Sequence, residues 1–372
     1  MPPSPSSLLA PPAPIPRPDV LCVSATSSRG AMKRFRVHNA SLPPAAARAA
    51  EHWHAVVKGR QLRRSIHVTT LAPGMVAVHL QASPALLQRM GVQHATTAAL
   101  AEDPPDAVTK RLAWMSLDPR RFSGHVVQGD ALLDPCVRPA GEAAARPCAR
   151  INGGYFNFRQ RACVDRPEHL SIGPLRTQGG TPQPTLPLPP AFADDYHELG
   201  FADGSSLACA PLLAEQGAPV FAAKASGSPL YQLPRDFAFE RGDQVAPGVL
   251  WHAHDANPRA AVSLPTTADS GCIRLVAAPM TDRGCADSGW TLAEFSGALA
   301  RLDRLGGQHG PPNISLNLDG GESVALLTWT EGRPVLDIRQ TAQPRQVGNL
   351  IEFRAAACLR SPEMVRCVKL GG

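Results

Sequence analysis

Three short stretches carry side chains that could act together on one substrate. The first is Asn317-Leu318-Asp319-Gly320-Gly321-Glu322-Ser323, which continues the apolar–polar alternation that begins at Ile314. In an extended chain Asn317 and Asp319 share one face, while Leu316 and Leu318 point to the other. An amide and a carboxylate thus arrive together at a strand end, beside glycines that admit another backbone or a ligand at close range. The second stretch, Ile151-Asn152-Gly153-Gly154-Tyr155-Phe156, has the same character: a strand ending in a polar-Gly-Gly turn, then aromatics. The third, Asn257-Pro258-Arg259-Ala260-Ala261-Val262, sets an arginine at the start of an apolar strand. Arginine holds phosphate bidentately and keeps its charge at any working pH. Each stretch also has a plain structural reading: an Asp-Gly hairpin turn, a bulge capped by Asn152, and a solvated or ion-paired arginine.

Other chemistries compete. Neither glycine pair is followed by the lysine or glycine spacing of a phosphate-binding loop, which disfavours nucleotide binding. Ser270-Gly271-Cys272-Ile273-Arg274-Leu275 is similar to the nucleophile motif of the L,D-transpeptidases, with His252 and His254 as candidate bases. A cysteine nucleophile needs such a base and a lowered pKa. Here no histidine stands between Ser270 and Cys272, Ala253 follows His252 where glycine is usual, and Cys285 offers Cys272 a disulfide partner.

The bulk properties are those of a globular chain: 372 residues, 44% hydrophobic, 18% charged, with 38 prolines. A net charge of +6 favours anionic partners, but no dense Lys/Arg run is interleaved with aromatics, so nucleic acid is not an expected partner. No apolar run is long enough for a transmembrane helix. Of nine cysteines, Cys136 with Cys148, Cys272 with Cys285 and Cys358 with Cys367 lie close in sequence, and Cys163 with Cys209 would make a fourth pair. Such pairing points to disulfides and a periplasmic or secreted location. A cytoplasmic chain with buried thiols is the alternative, because residues 1–20 lack the apolar core of an export signal. The sequence carries no signature of oligomeric state.

The elements that must position these residues follow from patterning. Residues 1–40, rich in Pro, Ser and Ala, are expected to be a disordered tail ahead of one domain spanning 41–372. Helices are expected at Ala45–Val57, Ser83–Met90 and Asp106–Met115. Strands are expected at Arg64–Thr70 and Val76–Gln81 about a Pro-Gly turn, and a proline-rich loop without regular structure at Gly179–Pro190. Leu207–Leu213 with Pro219–Ala222, and Ala260–Leu264 with Cys272–Ala277, read as strand pairs, and Arg345–Phe353 as a further strand. Thr291–Leu305 is the clearest helix, with a Thr291/Glu294 capping box and a stripe of Leu292, Phe295, Leu299, Leu302 and Leu305. Together these predict an α+β fold: a mixed or antiparallel β-sheet core built from hairpins, with a few packed helices.

Taken in order, the stretches resemble the phosphodiester glycosidase family over about residues 60–357. Ile151 to Phe156 is similar to its Asn-Gly-Gly-aromatic-Phe segment. Pro211-Leu212-Leu213 resembles its Gly-Pro-Leu-Leu segment, with Ala210 in place of glycine. Pro258 to Val262 resembles its Pro-Arg-Thr-Ala strand, Thr291 to Phe295 its helix start, and Asn317 to Gly321 with Ser323 its final signature. Val347-Gly348-Asn349 falls where the family has a Val-x-Asn turn. Glu322 stands where the family has a third glycine, Ala260 where it has threonine, and Ser263 where glycine is common.

The resemblance implies hydrolysis of a sugar joined through its anomeric carbon to a phosphodiester, so the expected partner is a carbohydrate phosphodiester. It implies Arg259 as phosphate ligand, Asp319 as acid/base or electrostatic stabiliser, and Asn317 and Asn152 orienting the substrate. Gly153, Gly154, Tyr155, Gly320, Gly321, Glu322 and Ser323 would line the substrate site. Glu322 or Asp282 would supply a second carboxylate. No cofactor is evident; a divalent cation would suit Asp and Asn oxygens. A non-catalytic binder of sugar phosphates or envelope polymers is the alternative from another class.

Overall fold

The computed structural model describes residues 20–25, 64–72, 75–82, 110–133, 146–157, 169–221, 229–231, 247–250, 252–266, 272–280, 288–305, 313–330, 333–341, 345–356 and 365–371. In chain order the first strands are β1 (Val20–Ala25), β2 (Arg64–Ala72), β3 (Met75–Ala82), β4 (Lys110–Leu117), β5 (Phe122–Leu133), β6 (Cys148–Asn152) and β7 (Ser171–Ile172). Then come β8 (Leu175–Thr177), β9 (Thr181–Pro182), β10 (Thr185–Leu186), β11 (His197–Gly200), β12 (Ser206–Cys209), β13 (Leu212–Glu215) and β14 (Ala218–Pro219). The last are β15 (Arg259–Pro265), β16 (Ile273–Ala278), β17 (Asn313–Asn317), β18 (Ala325–Thr330), β19 (Arg333–Arg339), β20 (Arg345–Ala355) and β21 (Arg366–Lys369). One α-helix, α1 (Leu292–Leu305), is assigned among the described residues.

A nine-stranded sheet runs β1-β2-β3-β4-β16-β15-β17-β13-β14. Two five-stranded sheets run β19-β18-β6-β20-β5 and β21-β11-β12-β8-β9, and β10 pairs with β7. All pairings are antiparallel except β10–β7. Alternation along β15 explains the layering. Ala260, Val262 and Leu264 join a core built with residues of both five-stranded sheets, such as Ile151, Leu326 and Leu207. Ala261 faces the other way, into a core with Leu292, Phe295, Leu299 and Leu302 of α1. Each of the larger buried side chains, such as Val262, Leu292 or Phe295, contributes about 1.5–3 kcal/mol.

The capping box forms as expected. Glu294 N–H donates to Thr291 Oγ1 at 3.2 Å, and Thr291 N–H donates to Glu294 Oε2 at 2.9 Å. The same carboxylate accepts from the buried Lys110 Nζ at 2.9 Å, so the cap also ties the helix to β4.

Among the described residues the fold is therefore antiparallel β with one packed helix, richer in strand than the α+β expectation. Asp106–Met115 accounts for part of the difference: residues 110–115 are strand, not helix. β4 lies between β3 and β16 with Leu112 and Trp114 in one core and Met115 and Leu117 in the other. A strand buried on both faces reads as a continuous apolar run that periodicity cannot separate from a helix. The helices expected at Ala45–Val57 and Ser83–Met90 lie outside the described residues. Val20–Ala25, within the stretch read as a tail, pairs with β2. The proline-rich loop contains the short strands β9 and β10. Leu207–Leu213 is two strands, β12 and β13, in different sheets, divided at the cis Ala210–Pro211 peptide.

Cys148, Cys209, Cys272 and Cys367 carry free thiols. Their expected partners Cys136, Cys163, Cys285 and Cys358 lie outside the described residues. Burial pushes the Cys148 and Cys209 thiols well up, and Cys367 up to about 11, which leaves them protonated and unreactive at neutral pH.

One charged row crosses the β6-containing sheet. Glu352, fully buried, pairs in register with His125 and Arg150, and its carboxylate accepts from Arg150 Nε, Arg354 Nε and His125 Nε2. Burial raises its pKa, but the His125 bond and the two guanidiniums outweigh this and lower it from 4.5 to about 2. A carboxylate depressed in the folded state stabilises the protein above its unfolded pKa and loses that contribution as pH falls through the folded value. Wild-type stability in urea should therefore fall between about pH 4.5 and 2 through this group. Glu352→Gln should be less stable at pH 7 and show a flatter dependence in that window.

Candidate active site

The signature beginning at Asn317 is not a hairpin. β17 belongs to the nine-stranded sheet between β15 and β13, whereas β18 lies between β19 and β6 in a five-stranded sheet. Residues 318–324 carry the chain from one sheet to the other, with a single 3₁₀ turn at Gly321–Ser323. The Asp-Gly pattern is shared by hairpins and by this crossing, because both need a sharp reversal beside glycine.

Pairing carries the signature toward the start of β15. Ala261 pairs with Asn317, and Leu318 N–H continues the ladder to Ala260 O at 2.9 Å. Residue 319 is the next position outward, just past the end of β17, and the Tyr155 hydroxyl feels the charges of both Asp319 and Arg259. The ladder then slips by one: Gly321, not Gly320, donates to Pro258 O at 3.0 Å. A Cβ on Gly320 would lie 2.9 Å from that carbonyl, so glycine is required for the approach. Gly321 sits at φ 61° in open space, glycine there for conformation rather than room.

The second stretch closes on the first. Asp319 N–H donates to Gly153 O at 2.9 Å, and Asn152 Nδ2 donates to Asp319 O at 2.6 Å. Asn152 Oδ1 accepts from Ala325 N–H at 3.2 Å, and the residue is fully buried. Asn152 was expected to orient substrate; its amide is spent on backbone, and it holds the turn that presents Asp319. Gly153 and Gly154 likewise serve packing rather than an open pocket. A Cβ on Gly153 would come 1.9 Å from Asn349 Oδ1, and one on Gly154 would come 2.0 Å from Ala208 O. Asn349 was seen in the sequence only as part of a Val-Gly-Asn turn. It accepts from Gly154 N–H at 2.7 Å and donates to Ser171 Oγ at 2.7 Å, so it seats the whole glycine pair. Ser323 is buried and Glu322 is exposed.

Arg259 is buried, yet among the described residues no carboxylate lies within ion-pair distance of it. Backbone oxygen replaces its hydration: Nε donates to Trp290 O at 2.8 Å, and Nη2 donates to His252 O and Asp255 O, each at 2.7 Å. Nη1 makes no such bond among the described residues and lies 3.9 Å from where a Gly320 Cβ would stand. Burial lowers the guanidinium pKa to about 10, which keeps it a cation at neutral pH.

Asn317 and Tyr155 complete the group. The Ala210 carbonyl can only accept, so the Asn317 group 3.0 Å from it is Nδ2, and Oδ1 has no hydrogen-bond partner in its buried position. The other Nδ2 hydrogen is donated to the Tyr155 hydroxyl oxygen. That oxygen is therefore an acceptor toward Asn317, and the phenolic hydrogen points elsewhere. Burial holds the phenol protonated, and it feels both Asp319 and Arg259.

The alternative constellation is drawn apart. His252 bonds through its carbonyl to Arg259, which pairs with Ala278 at one end of the β15–β16 hairpin. Cys272 precedes Ile273 at the other end, roughly 20 Å away along the strand. His254 instead packs at 6.1 Å from the ring of Phe221 and 6.2 Å from that of Tyr231. Among the described residues no three His, Cys, Asp or Glu side chains gather as a metal site. Asp282 lies outside the described residues.

No family model matches the chain, and no curated protein matches it. Among solved structures it is similar to a hypothetical protein from Synechocystis, at 13% identity and a TM-score of 0.37 over 80% of this chain and 79% of that one. It is also similar to a protein described as exported, from Burkholderia pseudomallei K96243, at 12% identity and a TM-score of 0.44 over 78% of this chain and 96% of that one. Likenesses at this level carry no inference about the chemistry of this chain.

Asn152→Ala should strip partners from the Asp319 carbonyl and the Ala325 N–H and cost about 2–4 kcal/mol, read as a lower urea midpoint at unchanged slope. Gly321→Ala, strained only by its positive φ, should cost about 1–2 kcal/mol in the same measurement.

Proposed function

We propose that the cleft between the Arg259 and Asp319 strand ends hydrolyses a glycosyl phosphodiester. The observation that carries this reading is the buried guanidinium with no carboxylate counter-ion among the described residues, anchored by backbone carbonyls and with Nη1 beside the Asp319–Gly320 turn. Such a cation is completed by an anionic ligand, and a phosphate diester supplies one. The order of the motifs along the chain, which resembles the phosphodiester glycosidases, supports the same reading.

In this mechanism Arg259 Nη1 and the Tyr155 hydroxyl hold the phosphate oxygens. The C1–O bond to phosphate breaks, its electron pair leaves with the phosphate, and water supplies the new C1 hydroxyl. Asp319 takes the proton from that water or stabilises the positive charge that develops at C1. Asn317 directs the Tyr155 proton toward the ligand by occupying the phenolic oxygen from behind.

A non-catalytic sugar-phosphate binder would use the same cleft, and the exposed Glu322, where the family has glycine, is the feature that favours it. Assay of a glycosyl 1-phosphodiester by release of the phosphomonoester separates the two. Wild type should turn over, and Asp319→Asn should lower kcat about 10²–10⁴-fold. Tyr155→Phe should lower kcat/KM by about tenfold. Asn317→Asp, which cannot donate to the phenol, should cost about as much, with the double variant no worse than either. Ligand binding without turnover on a broad panel of such diesters would defeat the hydrolase reading. Cys272→Ser should leave the activity unchanged.

A further inference from the structure

We propose that the outer face of the β21-β11-β12-β8 strands is a second ligand site, separate from the cleft, that takes a phosphorylated sugar. The registers place Arg176, Ser206, Gly200 and Arg366 in one cross-strand row: Ser206 pairs with Arg176 and with Gly200, and Gly200 pairs with Arg366. Directly paired residues share a face, so all four belong to one surface. The adjacent row, Leu175, Leu207, Leu199 and Cys367, points the other way and packs against the core.

The outer row lines a groove of about 490 Å³. That is the size of an ordinary small-molecule site. Its two guanidiniums start about 14 Å apart, three strand spacings, and their side chains are long enough to reach over the floor. Arg176 bonds only weakly, to Gly180 O at 3.3 Å, and among the described residues neither arginine has a carboxylate partner.

Gly200 is the decisive residue. It lacks a positive φ, and a Cβ there would meet nothing closer than Ser206 Cβ at 3.9 Å. Neither conformation nor packing demands glycine at this strand position, yet its lack of a side chain leaves the floor of the groove open. Glycine inside a strand marks a place where another molecule can approach closely. The other groups suit a sugar: Glu198 accepts from Ser206 Oγ at 2.5 Å and keeps an oxygen for ligand hydroxyls. Val368, 57% exposed, offers an apolar edge for the face of a ring.

The site does not depend on the hydrolase reading and is tested apart from it. Full-length protein is titrated calorimetrically with glucose 6-phosphate, with inorganic phosphate and glucose as separate arms. Glucose 6-phosphate should bind wild type and Asp319→Asn equally. It should bind Gly200→Leu, which fills the floor without backbone strain, and the Arg176→Gln/Arg366→Gln pair at least about tenfold more weakly. Phosphomonoester release by either groove variant should match wild type. Two results would overturn the site: no saturable binding of glucose 6-phosphate, or equal affinity in wild type and both groove variants. Inorganic phosphate binding as tightly as the sugar phosphate would overturn its assignment to a sugar.

Discussion

A guanidinium taken out of water needs its hydration replaced, and for Arg259 the replacement is backbone oxygen. The carbonyls of Trp290, His252 and Asp255 all turn toward it. Two segments are shaped by that requirement. Residues 252–257 fold back over the start of β15, and Trp290 is drawn against Asn257 by a reciprocal pair of backbone bonds just before α1. Neutral carbonyls orient the cation without cancelling its charge. A carboxylate in their place would have made a finished ion pair with little left for a ligand.

Asp319 is held by the same economy of backbone contacts. Its N–H goes to Gly153 and its C=O to Asn152, so the peptide is fixed from the β6 side, and its charge is felt at the Tyr155 phenol. The close approach of three backbones at this point explains the glycines. Gly153, Gly154 and Gly320 stand where any Cβ would strike Asn349, Ala208 or Pro258. These three glycines thus mark a packed junction between two sheets.

Two polar faces of the molecule contrast. In the cleft, every functional group is positioned by a second group: Arg259 by carbonyls, Asp319 by Asn152, Tyr155 by Asn317. On the outer β21-β11-β12-β8 face the arginines are exposed, their backbone spacing is set by the strand register, and Arg176 is held only by a long bond to Gly180 O. The first arrangement is the kind of pre-organisation that the proposed hydrolysis would use. The second suits reversible binding, in which side chains settle around a ligand.

Much of the local structure was legible in the residues alone. Alternation located β17, turn signals and apolar runs located β2, β3 and β15, and the Thr291/Glu294 pair marked the start of α1, because these signals depend on neighbours within one turn or one strand. The sequence also singled out Asn152, Arg259, Asn317, Asp319 and Tyr155 as chemically notable. It could not say which of them face a ligand. β4 was misread as helix because burial on both faces erases alternation, and the crossing at Asp319 passed for a hairpin because a reversal beside glycine looks the same whichever sheet the next strand joins. Long-range contacts alone decided that Asn152 is a structural brace, that backbone carbonyls rather than a described carboxylate hold Arg259, and that Arg176 and Arg366 share a row. The physical reason is that hydrogen-bond partners and charge compensation are supplied by residues far away in the chain, whereas propensity and periodicity register only what lies nearby.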